Sequence, residues 1–290
     1  MSKAYEKITD QIINALEGGT IPWRKPWNGP NGMPTSLSTG KPYRGVNVML
    51  LAITAMIMEY DTNLWGTYNQ IEKRGGQIRK GEKSTPVTLW KKVERKNADG
   101  EMVESFFMTT FNVFNVEQAD GLVLPTIEKI EHDSIEDAEK IASAYLASGP
   151  AFSHGGDRAY YSPFKDEVKI PEMGYFSTAA GYYSTLFHEI THSTGHKSRL
   201  DRDGMMEGHR FGDADYSKEE LVAEMGAAFL CAESGIAPDE HLENSTAYIA
   251  SWLKALKNDP KMVVEAAGKA QKAADLVLAA GAVSEQSEAA

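Results

Sequence analysis

The apolar positions of this chain change period along its length. Near the start, Tyr5, Ile8, Ile12 and Leu16 recur every three or four residues, which predicts an amphipathic helix leading straight in from Met1. Residues 86–92 and 106–114 read instead as strands, rich in Val, Thr, Phe and Trp. Asn97-Ala98-Asp99-Gly100 between them is a hairpin turn signal, and Gly75-Gly76 and Gly81 mark turns upstream. Residues 134–139 open a helix, with Ser134 as its cap and Asp137 completing a capping box. Gly155-Gly156-Asp157 interrupts the chain before Arg158-Ala159-Tyr160-Tyr161-Ser162, and Val168-Lys169-Ile170-Pro171 reads as a second short strand stopped by proline. Leu221, Met225, Ala228 and Phe229 return to helical spacing and predict a helix with one apolar face. Residues 262–283 are alanine-rich and helical, and 284–290 are expected to fray. The pattern predicts an α+β protein of two domains. Residues 1–125 form an α+β domain with an antiparallel sheet, 126–133 connect, and 134–283 form a mostly helical domain with a small sheet.

Composition narrows the class. With 42% hydrophobic and 24% charged residues the chain is globular, and no run of 18 apolar residues offers a transmembrane helix. The N-terminus carries no signal peptide, and the one cysteine, Cys231, excludes an internal disulfide and reads as inert core. A reducing cytoplasm is the expected compartment, with no membrane partner.

Charge is divided unevenly. Residues 1–125 hold 15 Lys and Arg against 13 Asp and Glu, net +2; the remainder holds 15 against 28, net −13. All seven histidines follow residue 131. Within the first half, residues 71–96 reach net +6. Lys73, Arg74, Arg79, Lys80, Lys83, Lys91 and Lys92 lie there, and Trp23, Trp27, Tyr43, Trp65, Tyr68 and Trp90 interleave with the basic segments. A positive, aromatic-studded sheet is one way to grip single-stranded nucleic acid: cations neutralise phosphates while rings stack on unpaired bases. On that reading the seven cations are phosphate contacts, and Trp65 and Tyr68 are stacking candidates. The competing reading is a solvated charged face over tryptophans that belong to the core.

The second half carries His188-Glu189-Ile190-Thr191-His192, the H-E-x-x-H pattern. On a helix, residues four apart share a face, so both imidazoles can grip one ion. Glu189 cannot bind beside them, but it can take a proton from a water at that ion. The expected ion is Zn2+, with another divalent ion as the alternative. A zinc peptidase needs a third protein ligand. Gly195 matches the metzincin continuation, but Ser198 stands where its third histidine belongs, and His196 is separated from His192 by a glycine. Glu220 and Glu224, four apart beside the apolar face of the later helix, are the better candidates for a ligand and its support. Glu219 points elsewhere on that helix and reads as solvated. Tyr160 and Tyr161 read either as oxyanion-assisting residues or as core and rim.

Resemblance to known families sharpens this. Glu220-Leu221-Val222-Ala223-Glu224 resembles the E-x-x-A-[D/N] motif of gluzincin-type peptidases, which implies Glu220 as ligand and Glu224 as its support or the alternative ligand. Ile21-Pro22-Trp23-Arg24-Lys25-Pro26-Trp27, Thr39-Gly40-Lys41-Pro42-Tyr43-Arg44-Gly45-Val46-Asn47, Trp65-Gly66-Thr67-Tyr68-Asn69-Gln70 and Phe111-Asn112-Val113-Phe114-Asn115-Val116-Glu117-Gln118 follow one another in order. That succession resembles the N-terminal domain of the ArdC family of plasmid antirestriction proteins and their relatives among plasmid primases. Ala159-Tyr160-Tyr161-Ser162-Pro163, the H-E-x-x-H helix and the Tyr216–Glu224 stretch are similar to that family's metallopeptidase-type domain. The resemblance implies a single-stranded DNA-binding domain joined to a zincin-like domain, and protection of incoming conjugative DNA from host restriction. If the second domain cuts, a protein substrate in the recipient cell, linked to restriction, is its expected partner.

Overall fold

The protein was analysed as a computed structural model, which describes residues 3–23, 33–96, 102–122, 134–202, 214–236 and 245–288. Backbone packing divides the chain into two compact units, Met1–Gln11 with Met33–Ile127, and Ile12–Gly32 with Glu128–Ala290. The architecture is α+β, as the pattern predicts. The first helix, α1 (Lys3–Glu17), buries Ile8, Ile12 and Leu16 at the predicted spacing. Trp23, beyond it, packs edge-on against Trp252 with ring centroids 5.2 Å apart, so Trp23 is a core residue of the second unit.

The first unit is a sheet carrying one apolar helix. After β1 (Thr35–Ser36) comes α2 (Val46–Ile57), which buries residues on every side and so shows no amphipathic period. Then follow β2 (Leu64–Gly66), the short α3 (Tyr68–Glu72), β3 (Gln77–Ile78), β4 (Thr85–Lys96), β5 (Met102–Asn115) and β6 (Ala119–Asp120). The sheet order is β1-β2-β5-β4, antiparallel except for the parallel β1–β2 pair, and β3 pairs with β6 separately. Leu51, Ala55, Trp65, Val87 and Val113 form one core cluster. Asn47 fastens α2 to the open edge of β4. Its Nδ2 donates to the Thr88 carbonyl at 2.8 Å and its Oδ1 accepts from the Thr88 N–H at 2.7 Å, so a carboxamide completes two ladder bonds that no strand supplies.

The β4–β5 hairpin is longer than the predicted strands, and its turn at Asn97–Gly100 lies outside the described residues. Side-chain alternation puts Leu89, Lys91, Phe107 and Phe111 on the face of the buried Val87 and Val113. Trp90, Lys92, Glu104, Phe106 and Met108 occupy the other face.

In the second unit, the segment after the connector opens with α4 (Ser134–Leu146); Ser134 is its first helical residue, and the connector before it lies outside the described residues. A three-stranded sheet follows: β7 (Ala151–His154), β8 (Tyr160–Ser162) and β9 (Glu167–Ile170), in the order β7-β9-β8. β7 runs parallel to β9 and β8 antiparallel, leaving β8 at one edge. The helices α5 (Ala179–Ser193), α6 (Ala214–Glu233), α7 (Ser245–Asn258) and α8 (Met262–Glu288) complete the unit. One expectation needs correction. α6 shows no solvent face along residues 220–231, where only Glu224 is half-buried and the rest are buried, because α5 and α8 both pack against it.

Candidate metal centre

Helix α5 carries the H-E-x-x-H pattern. Thr178 caps its start, its Oγ1 accepting from the Gly181 N–H at 3.0 Å, and Thr194 ends it. His188 and His192 face the same way, with their Nε2 atoms 3.1 Å apart and their rings edge to face. Glu220 on α6 meets both: its carboxylate lies 3.6 Å from His188 Nε2 and 3.5 Å from His192 Nε2. Among the described residues these three form a group whose donor atoms lie within 4.8 Å of one another. Donors bonded to zinc at about 2.0–2.1 Å in a tetrahedron stand about 3.3–3.4 Å apart, close to the separations found here. Two imidazoles and one carboxylate are a donor set that suits such an ion.

The crossing of α5 and α6 makes this convergence possible. A Cβ on Gly226 would stand 2.4 Å from Thr191 Cγ2, so the helices meet where one residue has no side chain. Thr191 lies between the two histidines, and its Oγ1 donates to the Phe187 carbonyl at 2.7 Å, which holds the methyl group against α6.

Charge at the site is strongly coupled. Burial opposes the charged form of His188 and His192, but hydrogen bonds donated to Glu220, and by His192 also to Glu219, together with nearby carboxylate charge, raise both pKa values. Burial pushes Glu220 the other way from its outcome: bonds to both histidines and their charge hold it well below the usual carboxylate range. Glu189 lies between the histidines on α5, 8% exposed, and its carboxylate makes no hydrogen bond or ion pair among the described residues. Its carboxylate is not locked into a structural pair.

Other candidates fall elsewhere. Glu224 sits half-buried one turn beyond Glu220, outside the converging group. Glu219, expected to be solvated, is instead packed behind His192, with Oε1 3.3 Å from Nδ1 and Arg202 bound to both its oxygens. Sequence spacing describes a residue's place on its own helix; what stood against that face was supplied by a neighbouring turn. His196 binds Ser198 through Nδ1 at 2.8 Å and lies 3.7 Å from Asp166, away from the group. Tyr161 donates to Asp166 at 2.9 Å, and Arg199 forks onto the same carboxylate, so Tyr161 is a structural tie. Tyr160 is exposed on β8. The side chain of Tyr216 lies outside the described residues. Cys231 is buried, and burial pushes its thiol up to about 12, which keeps it unreactive.

In the first unit Trp65 is fully buried with Tyr60 edge-on at 6.0 Å, so it is core and not a stacking surface. Tyr68 is exposed, and so are Lys73, Arg74, Lys80, Lys83, Lys91 and Lys92. Arg79 is committed to its own fold: it donates to the Glu117 carbonyl at 2.6 Å and pairs with Glu82 at 2.9 Å and Asp120 at 3.4 Å. Lys92 pairs with Glu104 across the hairpin, while Lys91 lies over the Phe111 ring, 5.5 Å from its centroid. The aromatic surface is on the hairpin itself, where Trp90 is 51% and Phe106 60% exposed and Phe107 and Phe111 are also open. Trp27 lies outside the described residues.

Comparison with known proteins agrees with both halves. Residues 2–114 match the N-terminal domain of anti-restriction factor ArdC, and residues 136–269 match a zincin-like metallopeptidase. The metal-free crystal structure of antirestriction protein ArdC from plasmid R388 superposes with a TM-score of 0.77 at 39% identity, over 96% of this chain and 97% of that one. This chain belongs to the ArdC antirestriction family. A second R388 ArdC structure, with Mn(II) bound, matches at 40% identity and TM-score 0.77, over 96% of this chain and 98% of that one. An uncharacterised family relative, y4eC of Sinorhizobium fredii, is 38% identical over 93% of this chain and 90% of its own length. DNA primase TraC of Escherichia coli is 40% identical over 95% of this chain, but the chain spans only 27% of TraC. Within the span that matches the zincin-like metallopeptidase, the H-E-x-x-H helix meets a helix bearing the Glu220 carboxylate. No helix among the described residues is long and apolar enough to cross a membrane.

Proposed function

We propose that this ArdC-family protein protects incoming conjugative DNA from host restriction by binding it as a single strand in the first unit and hydrolysing a peptide bond in the second. The observation that carries the catalytic half is the meeting of His188, His192 and Glu220 with Glu189 beside them and free of other partners. These three residues would hold one divalent ion. Zinc fits two imidazoles and a carboxylate, and manganese is the alternative given the Mn(II)-bound R388 relative. Such an ion supplies Lewis acidity. Glu189 then takes the proton of the attacking water on its carboxylate and returns it to the leaving nitrogen, the general-base role its burial and lack of partners suit. The expected substrate is a protein of the recipient cell linked to restriction.

The nucleic-acid half rests on the hairpin. Exposed Trp90, Phe106, Phe107 and Phe111, with Tyr68, offer rings to unpaired bases, and Lys73, Arg74, Lys80, Lys83 and Lys91 offer charge to phosphates. These exposed rings also favour a second reading, in which the protein shields entering DNA by coating it and needs no hydrolysis.

One variant separates the two. Glu189→Gln should keep the ion and DNA binding and lose at least about 10²-fold in turnover, the low end of a general-base contribution. Lost protection of transferred DNA with metal content and DNA affinity intact supports catalysis. Full protection removes hydrolysis from the role and leaves coating.

A further inference from the structure

Behind His192 stands a pair of residues that the metal chemistry does not itself require. We propose that Glu219, fixed by Arg202, is the positioning residue of the metal centre, orienting His192 and setting α6 so that Glu220 reaches both histidines; this rests on the metal reading above.

The geometry is specific. Glu219 Oε1 lies 3.3 Å from His192 Nδ1, the ring nitrogen turned away from the ligand group. Arg202 grips the same carboxylate with both arms of its fork, Nη2 to Oε1 at 2.6 Å and Nε to Oε2 at 3.0 Å. The guanidinium has no acceptor and does not lose its proton, so Glu219 is held as an acceptor. The proton between Glu219 and His192 therefore belongs on Nδ1, and the lone pair of Nε2 points toward His188 and Glu220. A carboxylate behind a ligand histidine fixes its tautomer and ring angle and strengthens it as a donor.

Arg202 is itself anchored to the helix that bears the site. It is buried, and it donates to the Thr191 carbonyl at 2.8 Å, the Thr194 hydroxyl at 2.6 Å and the His192 carbonyl at 3.3 Å. These are groups at the C-terminal end of α5, where carbonyls lack intrahelical partners and a cation is favoured. Arg202 thus caps α5 and holds Glu219 of α6 with one side chain. Because Glu219 and Glu220 are consecutive, fixing the first sets the rotation of α6 that presents the second. The two acids divide the work: one orients a ligand and its neighbour is a ligand.

The test uses the full chain, stripped of metal and titrated with Zn2+ against a chelator, and with Co2+ to read ligand geometry from visible absorption. The wild type and His188→Ala are measured first. If the wild type takes up no ion, or His188→Ala binds as the wild type does, the metal reading itself fails. With that reading standing, Glu219→Ala should weaken Zn2+ binding about 10–100-fold and alter the Co2+ spectrum. Glu219→Gln keeps an oxygen toward His192 but places an amide N–H against Arg202, so it should fall between Glu219→Ala and wild type. Arg202→Lys, which keeps charge without the fork, should also weaken binding although it contacts no ligand atom of the ion. Wild-type affinity and an unchanged Co2+ spectrum in Glu219→Ala would overturn the proposal, even if the metal-free variant melts earlier. Should Glu219→Ala fail to fold, Glu219→Gln decides: reduced affinity with a shifted spectrum supports positioning, and an unchanged titration overturns it.

Discussion

At the scale of single residues, α5 sets the spacing of His188, Glu189 and His192, and α6 supplies Glu219 and Glu220 that meet them. His188, Glu189 and His192 are fixed relative to one another by helical geometry, so their common face could be read directly. Glu219 could not be read that way, because its partners His192 and Arg202 come from α5 and the turn after it. Trp65 failed for a similar reason: a tryptophan among motifs looks the same whether its strand is central or open, and β2 is interior to the sheet. The ligand assignment gives a graded expectation. His188→Ala and His192→Ala should each abolish binding of the ion, Glu220→Ala should weaken it strongly and Glu224→Ala less, as metal analysis of the purified variants will show. A site emptied by Glu224→Ala and kept by Glu220→Ala would reverse the two glutamates. The same residues set a pH dependence. Glu219 and Glu220 have lowered pKa values, so their stabilising contribution is complete above the ordinary carboxyl value of 4.5 and lost as pH falls through the depressed values. His188 and His192 have raised values, so theirs is complete below the ordinary imidazole value of 6.5 and lost as pH rises through the elevated values. In the metal-free protein this cluster should therefore contribute most between pH 4.5 and 6.5, measurable as the difference in Tm between wild type and Glu220→Gln across pH. A difference that keeps growing well above that window would contradict the pairing.

At the scale of elements, packing decides what pattern conceals. α2 gives no period because it is buried on all sides, so its apolar run could not be distinguished from a buried strand. β7 is too short for its alternation to stand out in the sequence, yet it completes the three-stranded sheet. The two long strands were legible, but their length was not: their outer halves, residues 91–96 and 102–107, carry no regular alternation of apolar and polar residues to mark an end. Two element-level consequences can be measured. Gly226→Ala should force α5 and α6 apart at Thr191, at a cost of about 1–3 kcal/mol for an overpacked contact. Metal affinity should fall along with Tm, because the same crossing brings Glu220 to the histidines; unchanged affinity would show that the crossing does not set the site. On the hairpin, Trp90→Ala and Phe106→Ala should each weaken binding of a labelled single-stranded oligonucleotide by about 1–3 kcal/mol if each ring stacks on a base. Anisotropy titrations that match the wild type would remove this face from the interface.

At the scale of the whole molecule, the division of charge is the feature that composition alone nearly hid. A net charge of −11 argues against binding a polyanion, yet the deficit belongs to residues 126–290, and the segment 71–96 stands at +6. Binding to single strands should thus be strong at low salt and fall steeply as salt rises, by a slope of about 0.7 in log affinity per log salt for each phosphate neutralised. The structure separates cations that are available for this from cations that are already paired. Lys80 and Lys83 are exposed, and changing both to Ala should reduce the slope by about 1.4 if each meets one phosphate. Arg79 stands beside them in sequence but spends its guanidinium on Glu82, Asp120 and the Glu117 carbonyl. Arg79→Ala should consequently leave the salt slope where it was. Salt titrations of the three proteins, with folding checked by circular dichroism, decide the matter. If Arg79→Ala flattens the slope as much as a lysine does, its ion pairs open on binding and it joins the interface. If the lysine pair leaves the slope unchanged, the positive segment is a solvated face, and the exposed rings of the hairpin must hold the strand without it.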